Sequence, residues 1–422
     1  MAKLEITLRQ DTPMWHFRPD EKGCCLRASE VKPKLDKFII KKYNDIHLDY
    51  KMSFEAIGER EIYCDAKNKN NFAPFFGNNC RREDEQFFNF KGLIYYPDGV
   101  KMTIFSLHGD LVNEINKYIC EFFACHSFGT RQSKGFGCFY PKEIKLNNQD
   151  IKVLPCPIII NAVAQYKFQF QQNEINSDNL SKNFNYLFSA IENFHKKIRS
   201  GINLPNFYFK SLMFSYAKEK NSNWDKPQIR HYFGLLDDNS YFKKQYEKKC
   251  GKRNIDYNDG KPIQSDWNCP RKNMEEDYKN YTESEPYKFT KDKDDCIPLF
   301  RDALGLSGTQ SWLYYKAEVN ITDSQPDKNK KVTRFKTPFL YRPVKNSNGS
   351  YTIYIIFNED DQENLNKLKK VKFRIDANKK ENNTKKPING CLYAKIYQGF
   401  DLTDYFDFLT KQKGINLKSI KP

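Results

Sequence analysis

Residues 110–144 read DLVNEINKYICEFFACHSFGTRQSKGFGCFYPKEI, and this succession of patterns predicts a helix, a glycine-rich turn and a strand. Asp110 is a candidate N-cap, and the apolar residues that follow it recur at the spacing of one helical face. We expect an amphipathic helix over 110–126 and a strand over 136–144. The glycines between them mark the end of the helix.

The residues before this segment predict four more elements of the same domain. The alternation in 2–9 indicates a half-buried strand, and a helix is expected to begin near Pro33. Runs 90–96 and 101–107 flank a Pro-Asp-Gly turn and predict a β-hairpin. The resulting order β, α, β, β, α, β is that of the split βαβ, ferredoxin-like plan, which makes the fold class α+β.

The pattern begins again after this domain. Following the strand expected over 153–160 at the end of the first domain, an apolar, aromatic run extends from Ile158 to Phe170, and a strong helical period covers 180–198. A second domain of similar plan is the simplest account, so we predict an N-terminal domain over 1–157 and a C-terminal domain over 158–422. A short last helix is expected over 402–410.

A polar insertion is predicted within the second domain, over residues 237–295. It contains 13 Lys/Arg, 14 Asp/Glu and nine aromatic residues, so its charges nearly balance. The insertion is therefore not the source of the net charge of the chain, and its aromatic content argues for an ordered excursion.

Composition limits the class of protein. The chain has 422 residues and a net charge of +17, which suggests a polyanionic partner. Genome composition alone could also produce such a Lys-rich sequence. No run approaches the roughly 18 apolar residues of a membrane span, and the 12 cysteines show no C-x-x-C spacing. A cytoplasmic protein with reduced thiols and no membrane association is expected.

The glycine-rich segment 128–137, FGTRQSKGFG, is the best candidate for ligand binding. Three glycines allow positive φ and close approach of a ligand, while Arg131 and Lys134 add charge among backbone N–H groups. The spacing is neither a Walker loop nor a dinucleotide fingerprint. The segment either holds a sugar-phosphate backbone or is a helix-to-strand turn with solvated basic residues.

This loop resembles the glycine-rich loop of the RAMP superfamily, the RNA-binding proteins of CRISPR systems. Two further segments are similar to that family: TPMWHF with LRASEVKPKLD (12–17 and 26–36), and RFKTPFLYRP (334–343). DALGL at 302–306 fits the short helix that often precedes the later strand. The resemblance is greatest to two-domain Cmr-type subunits of type III effectors.

The resemblance implies two RAMP-type, ferredoxin-like domains and a non-catalytic, RNA-binding role in an antiviral ribonucleoprotein. The partners would be guide RNA, or its duplex with target RNA, and other type III subunits, and no cofactor is implied. From the first helix start, the implied RNA contacts are Arg27, Ser29, Lys32 and Lys34. From the loop they are Gly129, Thr130, Arg131, Ser133, Lys134, Gly135 and Gly137.

The alternative function is metal-independent processing of CRISPR repeat RNA. Such cleavage needs a base for the 2′-OH proton, and His16 is the best of the six histidines. A histidine between Trp15 and Phe17 is also typical of a packing or stacking residue. The metal-capable set Cys120, Cys125, His126 and Cys138 lacks the usual zinc spacing, so no metal site is predicted.

Overall fold

The computed structural model describes most of the chain. His16 and all of the expected insertion 237–295 lie outside the described residues. These are 1–15, 25–43, 48–63, 93–169, 180–204, 207–222, 224–235, 296–312, 317–324, 334–346, 350–381, 384–412 and 415–420.

Eight α-helices occur in the described residues, together with two short 3-10 turns at Gln132–Lys134 and Arg301–Leu304. In chain order, the helices are α1 (Ala28–Lys42), α2 (Gly109–Cys125), α3 (Cys156–Val163), α4 (Leu180–Arg199), α5 (Leu212–Glu219), α6 (Asp225–Tyr232), α7 (Glu359–Lys369) and α8 (Leu402–Thr410).

The strands make the class α+β, as the sequence predicts. They are β1 (Ala2–Gln10), β2 (Met14–Trp15), β3 (Lys51–Ala56), β4 (Glu61–Tyr63), β5 (Leu93–Tyr95), β6 (Val100–Ser106), β7 (Phe139–Leu146), β8 (Gln149–Ile151), β9 (Tyr166–Gln169), β10 (Ile202–Leu204), β11 (Phe207–Phe209), β12 (Ile297–Leu299), β13 (Leu306–Ser307), β14 (Thr309–Trp312), β15 (Ala317–Asp323), β16 (Arg334–Phe335), β17 (Leu340–Lys345), β18 (Tyr351–Ile356), β19 (Phe373–Glu381), β20 (Thr384–Pro387), β21 (Leu392–Ile396) and β22 (Leu417–Ser419).

The chain divides into two compact units, and both are discontinuous in sequence. Unit 1 comprises Met1–Glu192, Phe339–Phe357 and Lys418–Pro422, and unit 2 comprises Asn193–Pro338 and Asn358–Leu417. Strands β17 and β18 belong to unit 1 because they extend a sheet that begins at β9, in the order β17-β18-β9-β22. The division expected after residue 157 stays a prediction.

The main sheet of unit 1 has the order β3-β6-β1-β7-β8, and every neighbouring pair is antiparallel. The alternation in β1 buries Leu4, Ile6 and Leu8 on one face. Helices α1 and α2 share a core with those residues, because their own apolar stripes are buried in the same cluster. The other face of the sheet is covered by neither helix.

The expected order β, α, β, β, α, β is present in this sheet, but its second strand is β3 and not the run 90–96. The hairpin expected around Pro97-Asp98-Gly99 is therefore wrong. The turn itself forms, with the Gly99 N–H donating to the Tyr96 carbonyl over 3.1 Å. The two strands that flank the turn do not pair with each other: β5 pairs with β2 and β4, whereas β6 pairs with β1 and β3.

Two other local predictions differ from the structure. Residues 153–160 were expected to form a strand, but Cys156–Val163 form α3, with prolines at its first positions. Helix α1 begins at Ala28, one turn earlier than expected, so Pro33 lies inside it. Helix α2 ends as expected, and its N-cap is His108, with Asp110 in the first turn.

Unit 2 is built on a sheet of order β12-β21-β19-β15-β14, with β20 paired to β19. Only one pair of strands in its described part, β12 with β21, is parallel. An aromatic cluster around Tyr216 fills the core, with the rings of Phe400, Tyr405 and Phe408 meeting Tyr216 edge to face. None of the described helices combines the length and apolar composition that a membrane crossing requires.

Candidate nucleic-acid interface

The glycine loop closes on itself at its base. The Phe128 N–H donates to the Gly137 carbonyl over 2.9 Å, and Ser127 and Cys138 form an antiparallel bridge. Gly137 has φ +65°, and a Cβ there would lie 1.9 Å from the Phe128 carbonyl oxygen. Glycine is required at this position because both the backbone conformation and the close approach exclude a side chain.

The segment after β1 anchors the inner side of the loop. The buried Thr12 hydroxyl donates to the Gly135 carbonyl over 2.8 Å and accepts from the Cys138 N–H over 3.0 Å. The Gly137 N–H donates to the Pro13 carbonyl over 3.0 Å. The TPMWHF segment that carried part of the family resemblance therefore holds the loop through its first residues.

The start of α1 anchors the outer side of the loop. The Glu30 carboxylate accepts from the Gly129 N–H over 2.7 Å and from the Gln132 side-chain amide over 3.2 Å. The Lys34 ammonium donates to the Ser127 carbonyl over 3.1 Å and to the Gln132 amide oxygen over 2.9 Å. Two segments about 100 residues apart in sequence thus form one surface.

The loop has an exposed half and a buried half. Thr130 is exposed and Arg131 and Ser133 are partly exposed, whereas the chain from Lys134 to Cys138 is buried. The Phe136 ring stacks on Phe188 of α4 with centroids 3.8 Å apart. The groups that can reach a ligand are therefore concentrated before Lys134.

Arg131 occupies a left-handed conformation, with φ +61° and ψ +32°. That region costs a non-glycine residue about 1–2 kcal/mol, so the surrounding contacts must hold it there. The Thr130 N–H bonds the Trp15 carbonyl over 3.0 Å, and the Arg131 guanidinium carbon lies 5.1 Å from the centre of the Trp15 ring. The partly exposed Arg131 side chain is thus fixed against Trp15, with one guanidinium nitrogen buried.

The predicted RNA contacts at the start of α1 differ in exposure and in their contacts within the protein. Arg27 precedes the helix in an extended conformation, and Ser29 is exposed in the first turn. Lys32 pairs with Asp36 at 3.0 Å, and its ammonium lies 3.9 Å from the centre of the Tyr50 ring. Burial and a hydrogen bond to Asp36 raise the pKa of the Tyr50 hydroxyl, so this tyrosine stays neutral.

Like Lys32, the other two predicted lysines, Lys34 and Lys134, make contacts within the protein. Lys34 is bound by the loop, as described above, and Lys134 is only 9% exposed, with its ammonium 5.8 Å from the Tyr341 ring. Lys34 has a clear structural function, which its spacing alone does not reveal. Glu30 and Gln132, the residues that join loop to helix, were not predicted, because paired polar side chains on separate segments leave no local signal.

A shallow pocket of about 470 Å³ continues this surface along α1. Its lining includes Ser29 and Lys32 of α1 together with Tyr50, Lys51 and Met52 at the start of β3. Two predicted contact residues thus border the same depression as an edge strand of the main sheet. The pocket lies between the start of α1 and the edge strand β3.

The metal-capable side chains near the loop have other surroundings. The His126 ring stacks on Phe122 at 4.6 Å, and its Nδ1 lies 2.8 Å from the Phe122 carbonyl oxygen. Burial raises the pKa of the Cys125 thiol to about 12. Within the described part of the chain, no three His, Cys, Asp or Glu residues are grouped as metal ligands.

Comparison with known proteins identifies the family. The model of the Cmr1 N-terminal domain matches residues 1–49 and 43–202, and that of the Cmr1 C-terminal domain matches residues 208–421. The chain belongs to the Cmr1 family. The expected relationship to two-domain Cmr-type subunits of type III effectors is confirmed.

A structural comparison finds a distant match. A chain in the cryo-EM structure of the type III-B Cmr-beta bound to cognate target RNA is 11% identical, with a TM-score of 0.23. The match covers 34% of this Cmr1 chain and 60% of the other one. No curated protein matches the sequence.

Proposed function

We propose that this Cmr1 chain is a non-catalytic, RNA-binding subunit of a type III CRISPR effector. It would contact guide RNA, or its duplex with target RNA, alongside the other subunits of the complex. Family membership supports the assignment to the effector. The four-stranded part of the main sheet, with order β3-β6-β1-β7, supports a ferredoxin-like, RAMP-type first domain.

One observation carries the RNA-binding proposal: the exposed half of the loop is fixed against the start of α1, with Arg131 held at positive φ at its tip. The Thr130 and Ser29 hydroxyls and one guanidinium then share a surface. These groups suit phosphate oxygens, which position RNA without reading its sequence. Neither a metal ion nor a nucleotide is needed for such contacts.

The test is the salt dependence of RNA binding by Arg131→Ala. Loss of one phosphate contact should weaken binding similarly for all sequences and lower the slope of log K against log salt by about 0.7–0.9. Lys134 is left unchanged because it is buried, and its removal would disturb the fold. Arg374→Ala is the matched control, since Arg374 is an exposed arginine of unit 2 that pairs with Asp376 at 2.9 Å. Unchanged affinity and slope in folded Arg131→Ala would overturn the proposal.

The alternative, a repeat-RNA processing enzyme, depends on His16. For a recognition subunit, the purified chain should leave CRISPR repeat RNA uncut, and His16→Ala should bind RNA like the wild type. A processing enzyme would cut without metal and lose about 10²–10⁴-fold in rate when its general base is removed. Chelator-resistant cleavage that disappears in His16→Ala, followed on a denaturing gel, would establish the enzyme instead.

A further inference from the structure

The face of the main sheet opposite α1 and α2 carries an aromatic residue between two lysines. Strand β6 alternates, with Met102 and Ile104 buried and Phe105 partly exposed on the other face. In the antiparallel registers, Phe105 stands opposite Lys3 of β1 and opposite Lys51 of β3. The three side chains therefore form one row across the sheet, which we call the Lys3–Phe105–Lys51 row.

Phe105 does not serve the core. The partly buried apolar residues that pack against the core of unit 1 include Met52 and Phe54 of the neighbouring strand, and in the described residues they do not include Phe105. No other aromatic ring among the described residues pairs with it. Among the described residues, this large apolar side chain near one end of the sheet thus has no aromatic partner and no place in the core.

The charge around the ring is positive. Lys51 is exposed and makes no ion pair with a described residue, while the Lys3 side chain is 49% exposed and lies 3.1 Å from Glu5. Glu5 also binds Lys101 at 2.9 Å. Lys3 and Lys51 are therefore the charged residues directly opposite Phe105, while Glu5, Lys101 and Glu55 lie farther along the same face.

We infer that the Lys3–Phe105–Lys51 row is a stacking site for one base of single-stranded RNA, with the two lysines holding the phosphates on either side. Base stacking on an aromatic residue of an open sheet, beside cationic side chains, is a general mode of single-strand recognition. Neighbouring strands are about 4.8 Å apart, so the two lysines flank the ring at about 10 Å from each other. An acidic protein segment would need the charges but would gain little from the central ring.

The row continues the surface already described. Lys51 lines the same pocket as Ser29 and Lys32, so an RNA strand leaving the start of α1 would reach the row across the edge of the sheet. The inference deepens the proposed function and rests on it. It adds a base contact to a surface that otherwise offers contacts to the backbone.

The experiment compares two ligands of equal length, a labelled oligouridine and the same backbone without bases. The full chain should bind the oligouridine about tenfold or more tightly, because stacking is worth about 1–3 kcal/mol per base and 1.4 kcal/mol is a factor of ten. Phe105→Ala should remove this preference and leave the salt slope unchanged. Phe105→Trp should restore it, whereas Phe105→Leu, which keeps apolar area without a ring, should not.

Two controls separate the row from other contacts. Lys51→Ala should lower affinity for both ligands and reduce the salt slope by about 0.7, since a phosphate contact is lost. Tyr186→Ala removes a ring of α4 that is 39% exposed, and it should change the affinity for neither ligand. Folding of each variant is checked by its thermal transition.

The outcomes distinguish this inference from the proposed function. If Arg131→Ala weakens RNA binding while Phe105→Ala leaves the preference for bases intact, the stacking site is wrong and the backbone surface stands. If the wild type binds neither ligand, both fail. If polyglutamate competes for the row as strongly as oligouridine does, and if this competition is lost in Phe105→Ala, the row binds an acidic protein partner and the inference is overturned.

Discussion

The two halves of the glycine loop differ in what their residues contact. Residues 129–133 are exposed or partly exposed and include Thr130, Arg131 and Ser133, whereas residues 134–138 are buried and bonded to Thr12 and Pro13. A single short motif thus combines a ligand-facing segment with a segment that belongs to the core. The glycines that make the motif recognisable serve the buried half at least as much as the exposed one.

The largest effect is expected at Gly137, in the buried half. Gly137→Ala would place a Cβ 1.9 Å from the Phe128 carbonyl oxygen at positive φ, so the backbone must move and the bond that closes the loop is lost. We expect a loss of about 3 kcal/mol or more in the free energy of unfolding. Urea titration followed by circular dichroism measures it.

Gly109→Ala is the matched control for that substitution. Its Cβ would meet no heavy atom within 4 Å, and alanine suits the first position of α2. This variant should be as stable as the wild type or slightly more so. Equal stability of both alanine variants would show that the loop base is not closed as described.

A smaller loss of stability is expected where the buried half of the loop contacts the segment after β1. Thr12→Val removes a fully buried hydroxyl that bonds both the Gly135 carbonyl and the Cys138 N–H. Leaving those groups unsatisfied should cost about 1–3 kcal/mol in the free energy of unfolding. Thr12→Ser keeps the hydroxyl and should lose less, so a serine variant as unstable as the valine variant contradicts the role of this hydrogen-bond pair.

The smallest effect on stability is expected in the exposed half. Arg131→Gly relieves a left-handed residue, so it should be between neutral and about 1 kcal/mol more stable than the wild type. The same variant should bind RNA as poorly as Arg131→Ala. A fall in the thermal midpoint would mean that Arg131 supports the fold, and the division of the loop into two halves would be lost.

Elements with a strong local period are the ones that the sequence predicts well. Helix α2 and the strand after the loop follow from the recurrence of apolar residues, and α8 agrees with its predicted bounds. The run at 153–160 failed because a short apolar stretch suits either a strand or a helix. The prolines at the start of α3 were the signal that would have decided it.

Pairing between strands was less predictable. The turn at Gly99 forms, yet its flanking strands join different sheets, because alternation fixes which residues are buried and leaves the partner open. Strand β3 was missed although Met52, Phe54 and Ala56 alternate with polar residues. The Lys3–Phe105–Lys51 row depends on that strand, so it could not be found before the registers were known.

The sequence predicted a glycine loop at 128–137, which the structure has, but it did not predict the contacts that hold this loop. Glycine spacing located the loop, and the family resemblance associated it with the start of α1. The joining residues Glu30 and Gln132 have no sequence signature, and nothing local distinguishes the engaged Lys34 from the exposed Ser29. Burial of Lys134 likewise follows from the tertiary packing of its neighbours.

The discontinuity of unit 1 sets a time for its assembly on the ribosome. Asp11 lies 3.2 Å from Arg342, which is fully buried on β17, and Arg342 also donates to the Phe139 carbonyl over 2.8 Å. The segment that contains Arg342 ends at residue 357, which is 357 − 192 = 165 residues beyond the first part of the unit. At about 5–20 residues per second, the nascent chain waits about 8–33 s for this partner. During that interval the carboxylate of Asp11 lacks its buried counter-ion, so this contact between the segment after β1 and β17 forms only once residue 342 has been synthesised.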